Sequence, residues 1–474
     1  MPKNRAVFMR TFWFRFCFLL IGMLAAAVSV PAQTGAYQGS ASSGPASGES
    51  LSLSLNEALQ RGLHYNLGGI TSGDSARRAQ GEAIAVRSAL YPNLSGALRE
   101  NVEQIDLASF GFKFKFPPSL GINIPNIVGP FNYFDLRGYL TQRVADLQAI
   151  RSFQSSRQEQ RAAELSAVDA REIVVYVVTQ AYLQVLAESA RVDSAKVQVE
   201  TAQAIYQQAA DRFSAGLSAK IDMTRSQVEL QTQQQRLTAE EADYAKQKIG
   251  LARLIGLSAG QTFTLSDKLP YAPLENMTLD QALALAAQNR PDLKAAEAQL
   301  HAAELARKAA FAEHLPTLGI VADYGVIGVN PASSHGTYSV SGQLLFPIWA
   351  GGHTHGDVVA ADATINQRRA EYENTREKVE ADVRTAYLDL NAAAEEVRVA
   401  QSRRDLARDQ LTQSRDRFAS GVADTVEVTQ SQEAVASAEA DYIADLNAHN
   451  LAKASVARAI GQAEKIMRDL LRSQ

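Results

Sequence analysis

Two stretches of the chain carry apolar residues at helical spacing. Val379, Val383, Ala386, Leu390, Ala393, Val397 and Ala400 are separated alternately by four and three, the heptad period of a coiled-coil seam. The spacing recurs at Val174, Val178, Ala181, Val185, Val192 and Ala195, with Glu188 interrupting it. No proline occurs from Leu147 to Ser214 or from Asp357 to Ser420. Each stretch is about 65 residues, or roughly 100 Å of helix at about 1.5 Å per residue. A glycine-containing turn and a return arm follow each, so the pattern predicts long helical hairpins over about 147–256 and 354–461. The seam residues are small, which permits close helix approach.

A second period, of two, marks strands. Tyr338, Val340, Gly342, Leu344 and Phe346 alternate with Thr337, Ser339, Ser341 and Gln343. Phe134, Leu136, Gly138 and Leu140 alternate with Asp135, Arg137 and Thr141, and Ile320, Ala322, Tyr324 and Val326 follow Pro316. Strands are expected over about 93–116, 131–143, 317–329 and 337–348. The first is the poorest, with Arg99, Glu100, Glu103 and Asp106 crowded together, although Phe112-Lys113-Phe114-Lys115-Phe116 alternates well.

These elements come in two copies. Ser54-Leu55-Asn56-Glu57-Ala58-Leu59 matches Thr278-Leu279-Asp280-Gln281-Ala282-Leu283, and Tyr91-Pro92-Asn93-Leu94 matches Leu315-Pro316-Thr317-Leu318, both at an offset of about 224. Ala181-Tyr182-Leu183 matches Ala386-Tyr387-Leu388, Arg212-Phe213 with Gly216 matches Arg417-Phe418 with Gly421, and Ile255-Gly256 matches Ile460-Gly461, all at about 205. The first copy therefore carries about 19 extra residues, for which Phe110 to Pro130 is the candidate. Each repeat, 51–260 and 275–464, opens with a capping box (Ser54 with Glu57, Thr278 with Gln281) on a helix that runs to Pro92 or Pro316. Two strands and a helical hairpin follow; a short tail, 465–474, ends the chain.

Four strands cannot close a membrane barrel, and open edges are not tolerated in lipid. Strands of about 9–11 residues suffice to span a bilayer, and barrels begin at about eight strands. Three copies would supply about twelve strands and two copies a tight eight; physics alone does not choose. A lone hairpin about 100 Å long also cannot bury both sides of its seam. Copies arrayed around one axis solve both problems at once.

Composition sets the surroundings. The 474 residues are 46% hydrophobic and 21% charged, with formal charge −4 and a mean hydropathy of −0.16. That balance argues against disorder and against nucleic acid as the main partner. No apolar run of about 20 residues is read beyond the N-terminus. Lys3, Arg5, Arg10 and Arg15 precede an apolar stretch from Phe16 to Val30, and Val30-Pro31-Ala32 supplies small residues for cleavage. Residues 1–32 read as a signal peptide. Its removal would take the charge to about −8. It would also remove Cys17, the only cysteine, leaving no disulfide and no thiolate metal site. Residues 33–50, rich in Gly, Ser and Ala, read as a flexible leader.

The order of these features resembles the TolC-like outer membrane efflux proteins. The duplicated halves, the Ser/Thr-Leu-x-x-Ala-Leu openings and Asn289-Arg290-Pro291-Asp292-Leu293 carry the resemblance. So do Leu315-Pro316-Thr317-Leu318, the corner Phe346-Pro347-Ile348-Trp349-Ala350-Gly351-Gly352, and the turn Arg417-Phe418-Ala419-Ser420-Gly421-Val422. The first repeat departs from the pattern with Thr141-Gln142-Arg143-Val144-Ala145-Asp146 at its corner and Asn66-Leu67-Gly68-Gly69 in its opening helix. The resemblance implies a mainly α chain with a β-barrel portion. It implies a homotrimer whose 12-stranded barrel, four strands per chain, sits among outer membrane lipid and continues as a periplasmic α-helical barrel. Such ducts work with a periplasmic adaptor protein and an inner-membrane pump, and export small molecules or proteins.

The candidate functional residues lie at the hairpin turns. Gly216 and Gly421 suit the positive backbone angle of a helix C-terminus. The resemblance makes these turns the periplasmic tip that meets the adaptor, with Arg212, Phe213, Leu217, Arg417, Phe418 and Val422 as contact surface. Asp222 and Glu427 follow each glycine, and three-fold symmetry would turn each into a ring of like charge around a lumen. Glu427 matches a position of the family's acidic rings, and Gln430 stands where a second acid is expected. Phe418 and Ala423 occupy positions where family closing links involve Tyr and Arg. His353-Thr354-His355 with Asp357 hints at a metal, but at a corner where polar residues are expected anyway; no metal or cofactor is predicted. There is no phosphate loop and no Gly-x-Ser-x-Gly elbow, so the chain reads as no enzyme. The rival reading, a secreted coiled-coil stalk or adhesin, accounts for the helices but not for the strand pairs.

Overall fold

The computed structural model describes residues 34–42, 44–46, 48–112, 117, 119, 121, 124–258, 260–269 and 277–469. The signal peptide, the alternation at 113–116 and the last five residues of the tail lie outside the described residues.

The elements run α1 (Thr34–Tyr37), β1 (Leu51–Leu53), α2 (Leu55–Tyr65), α3 (Leu67–Arg87), β2 (Asn93–Asp106), β3 (Ile127–Ala145), α4 (Leu147–Ser214) and α5 (Lys220–Leu254). The second repeat follows with β4 (Phe263–Leu265), α6 (Leu279–Asn289), α7 (Pro291–Ala312), β5 (Thr317–Gly328), β6 (His335–Leu345), α8 (His353–Ala419), α9 (Thr425–Ala459) and α10 (Ala463–Asp469). The outgoing arms α4 and α8 have 68 and 67 residues, and both return arms have 35. Both capping boxes form, each with side chain and backbone exchanging hydrogen bonds. The whole second-repeat seam, Val379 to Ala400, is buried. In the first repeat Glu188 is buried as well, its Oε1 accepting from Gln184 and Arg191 at 2.9 and 2.8 Å.

Four strands form one antiparallel sheet in the order β2-β3-β5-β6. Strands β3 and β5 join the two repeats, and β2 and β6 are the edges. The register separates the faces. Leu98, Leu136 and Val326 are cross-strand partners, as are Leu94, Leu140, Ala322 and Val340, and they line one side. Arg99, Asp135, Arg137, Asp323, Thr337 and Ser339 line the other. Leu94, Leu98, Leu136, Tyr324, Tyr338, Val340 and Leu344 remain exposed. On the polar side Arg137 pairs with Asp323 and with Asp135 and donates to Thr337, which ties β3 to β5 and β6.

Several expectations need correction. Strand β2 stops at Asp106, well short of 116, because residues 107–111 turn, with Ser109 and Gly111 amides bonding back to Asp106 and Ala108. Each opening helix is two helices, broken at Asn66 and at Arg290, and ends at Arg87 or Ala312 ahead of the proline. These joints align Asn66 with Arg290, at the same offset of 224 as the opening motifs. In the described part of the leader, the chain from Tyr37 to Ala41 pairs with residues remote in sequence. The Ala41 amide donates to the Tyr65 carbonyl at 2.8 Å, the Leu67 amide to Gly39 at 2.9 Å, and Asn66 Nδ2 to Tyr37 at 2.8 Å. The tail begins as helix α10, with Met467 buried in the core around Val174, Val178 and Tyr182. One stretch of α4 is also long and apolar enough to cross a membrane, and 56% of it is buried within the fold. Its Val174, Val175, Val178 and Leu183 are core residues.

Candidate functional site

Both hairpins turn through the same backbone device. Gly216 and Gly421 have φ of 72° and 78°. The Gly216 amide donates to Phe213 at 3.0 Å and the Leu217 amide to Arg212 at 2.8 Å. Gly421 bonds Phe418 at 3.1 Å and Val422 bonds Arg417 at 2.9 Å. This pair of reversed bonds satisfies helix-end carbonyls and requires a left-handed residue at the turn, which glycine adopts without strain from a Cβ.

The side chains then diverge. Arg212 reaches across to the second hairpin, where its Nη1 donates to the Phe418 carbonyl at 2.6 Å and its guanidinium lies 5.0 Å from the Phe418 ring centre. Phe418 is buried with Ile205 and Val428, against Leu411. It is therefore not part of an exposed contact surface, because the Arg212 clamp and this apolar cluster enclose it. Arg417 instead pairs with Glu427 on its own hairpin at 3.1 Å. Phe213, Leu217 and Val422 are exposed, as are Arg417 and Gln430, whereas Arg212 is half-buried.

The acidic residues are held differently too. Asp222 Oδ1 accepts from Thr425 Oγ1 of the other hairpin at 2.9 Å, and Thr425 is buried. Glu427 lies in the first turn of α9, whose N-cap Asp424 accepts from the Val426 and Glu427 amides at 3.1 Å. The corresponding cap on α5 is Ala219, with no side-chain bond. The hairpins are thus linked at the tip by Arg212–Phe418 and Asp222–Thr425. Further along, a groove of about 450 Å³ separates them, lined by Gln198, Gln233, Gln432 and Glu439 among others.

Sequence reasoning missed the far anchor of the second repeat. Arg290 is buried and makes a bidentate pair with Asp292, at 2.8 and 2.6 Å, and a further bond to Asp382 at 3.2 Å. Burial alone would raise the Asp292 carboxyl, but Arg290 overrides it and holds it below the usual carboxylate range. Nearby Asp169 is pushed up by burial despite its 2.7 Å bond to Arg458. The Arg-Pro-Asp string was the available signal, since a proline at the first helical position places the flanking charges at a helix start. In the first repeat Tyr182 plays an anchoring part, donating to Asp267 at 2.7 Å or to the Leu53 carbonyl at 3.0 Å. Burial raises its phenol well above the ordinary value.

Comparison with known proteins follows the same lines. Residues 282–462 match the family described as outer membrane efflux protein. Protein CyaE of Bordetella pertussis is 30% identical over 191 residues, 39% of this chain and 40% of that one. The pyoverdine export outer membrane protein OpmQ of Pseudomonas putida is 25% identical over 282 residues, 58% of this chain and 56% of that one. The chain thus matches about half the length of these relatives. The outer membrane protein VceC of Vibrio cholerae superposes with a TM-score of 0.71 at 17% identity, covering 86% of this chain and 96% of that one. Family match and fold point the same way: residues 282–462 resemble the outer membrane efflux proteins, and the fold of the chain is that of the outer membrane protein VceC.

Proposed function

We propose that three copies of this chain close into one duct, a passive exit through the outer membrane for cargo delivered from the periplasm. The observation that carries this reading is the four-stranded sheet whose edges β2 and β6 have no strand partner among the described residues, with one exposed apolar face. In lipid such edges must be satisfied, and three sheets edge to edge give a twelve-stranded barrel with Arg99, Asp135, Arg137 and Asp323 facing its lumen. The hairpins continue the wall below. A coiled-coil stalk would leave the sheet's separation of polar and apolar faces without a purpose.

The tip then serves as the periplasmic entrance. Phe213, Leu217 and Val422 offer exposed apolar contacts, and Arg417 an exposed charge, to a periplasmic adaptor; an inner-membrane pump supplies the energy. Asp222 and Glu427 are the lumen-facing acids, with exposed Gln430 beyond them. The named relative OpmQ exports pyoverdine, which makes a small-molecule cargo the first to try. Purified protein in planar bilayers tests the reading: stepwise conductance from a three-chain particle is expected, and a water-soluble single chain without conductance would sink it.

A further inference from the structure

The two strand-to-helix corners are built differently, and the second gathers ligands. At the first corner Asp146 caps α4. One carboxylate oxygen accepts from the Ala149 amide at 2.9 Å and the other pairs with Arg143 at 2.8 Å. At the second corner the cap of α8 is Gly352, with φ of 90° and no side-chain bond. In place of a cap, His353, Asp357 and Glu313 bring one ligand atom each within 4.8 Å of one another. His353 Nδ1 lies 2.9 Å from Asp357 Oδ2 and 3.9 Å from Glu313 Oε2. The other Glu313 oxygen is already oriented, accepting from Gln148 Nε2 on α4 at 2.8 Å.

We propose that His353, Asp357 and Glu313 form a binding site for a divalent first-row metal ion of the Zn²⁺ type. Ligand atoms about 2.0–2.2 Å from one ion sit roughly 3–3.5 Å apart, so the observed separations need only small side-chain rotations. One imidazole with two carboxylates suits borderline ions such as Zn²⁺, whereas all-oxygen sites suit Ca²⁺ and Mg²⁺. His353 and Asp357 are 72% and 42% exposed, which leaves an entry path and room for water to complete the coordination. Gln148 supplies the outer contact that aims a carboxylate ligand. The ion would bridge α7 and α8 and, through Gln148, α4, doing at the second corner what Asp146 and Arg143 do at the first.

Trp349 is the only tryptophan beyond residue 32 and stands four residues before His353. Zn²⁺ is titrated calorimetrically into the full detergent-solubilised protein, with Trp349 emission followed in parallel. One saturable ion per chain is expected, together with a change in Trp349 emission and a higher unfolding midpoint. His353→Asn and Asp357→Asn should each weaken binding at least tenfold while helix content is unchanged, and His355→Asn should bind as the unaltered protein does. Absence of saturable binding overturns the proposal. So does binding that survives His353→Asn, or binding lost in His355→Asn. Single-channel conductance need not change in any of these variants, so the outcome is independent of the duct reading.

Discussion

At Gly216 and at Gly421 the chain reverses through the same two backbone hydrogen bonds, yet the arginine before each turn goes to a different place. Arg212 crosses to the other hairpin and covers Phe418; Arg417 stays at home with Glu427. The equivalent phenylalanines follow suit, Phe418 buried and Phe213 exposed. The same division holds at the joints between the opening helices. Asn66 is held by the leader strap, Arg290 by a buried ionic cluster. Duplication has kept the opening capping boxes, the glycine turns and the seams. At the tips the difference lies where one hairpin packs on the other; at the joints it lies in the neighbour each copy meets, the leader for Asn66 and Asp382 of its own repeat for Arg290.

The comparison can be broken most forcefully at the joints. Arg290→Ala would leave Asp292 and Asp382 without their partner, and breaking a buried pair costs about 3–5 kcal/mol. Asn66→Ala should cost only about 1–2 kcal/mol, the loss of a cap and one bond. Thermal unfolding of the two variants would rank them; equal losses would mean the ionic cluster is no more important than the strap. The Asp292→Asn variant adds a pH signature. The folded-state value of Asp292 is depressed, so its contribution is present above the ordinary carboxylate range and disappears as pH falls through the depressed value. The gap between this variant and the unaltered protein should therefore close on acidification.

At the tips the expected effects are smaller. Arg212→Ala removes a charged hydrogen bond and uncovers Phe418, about 1.5–3 kcal/mol. Arg417→Ala removes an exposed pair worth about 0–1 kcal/mol. Conductance should follow the same order, with Arg212→Ala raising open probability and Arg417→Ala changing it little. The turn glycines should behave alike: Gly216→Ala and Gly421→Ala each force a Cβ into left-handed backbone, about 1–2 kcal/mol. Glu427→Gln should leave stability nearly unchanged and lower cation selectivity, read as the reversal potential in a salt gradient. An unchanged potential would remove Glu427 from the lumen.

Whatever is periodic or local was legible in the sequence. The heptad from Val379 to Ala400, the alternation from Thr337 to Leu345 and the capping boxes each depend on neighbours a few residues away. What failed was long-range. Nothing in residues 33–50 announces that Ala41 will bond Tyr65, and only the fold brings Tyr37 to Asn66 and Asp382 to Arg290. The tip clamp was hidden for the same reason: the two Arg-Phe pairs read alike, and only the packing of one hairpin on the other decides which phenylalanine is covered.

The most direct test of the three-copy duct is a crosslink between its edges. Ser95→Cys on β2 is combined in turn with Ser339→Cys, Ser341→Cys and Gln343→Cys on β6, and the purified protein is oxidised. Within one chain β2 and β6 are three strand spacings apart, roughly 14 Å, beyond the reach of a disulfide. At least one pairing should therefore give a covalent three-chain band in denaturing gels. If none crosslinks, or the ladder stops at two chains, the sheet does not close as a ring of three.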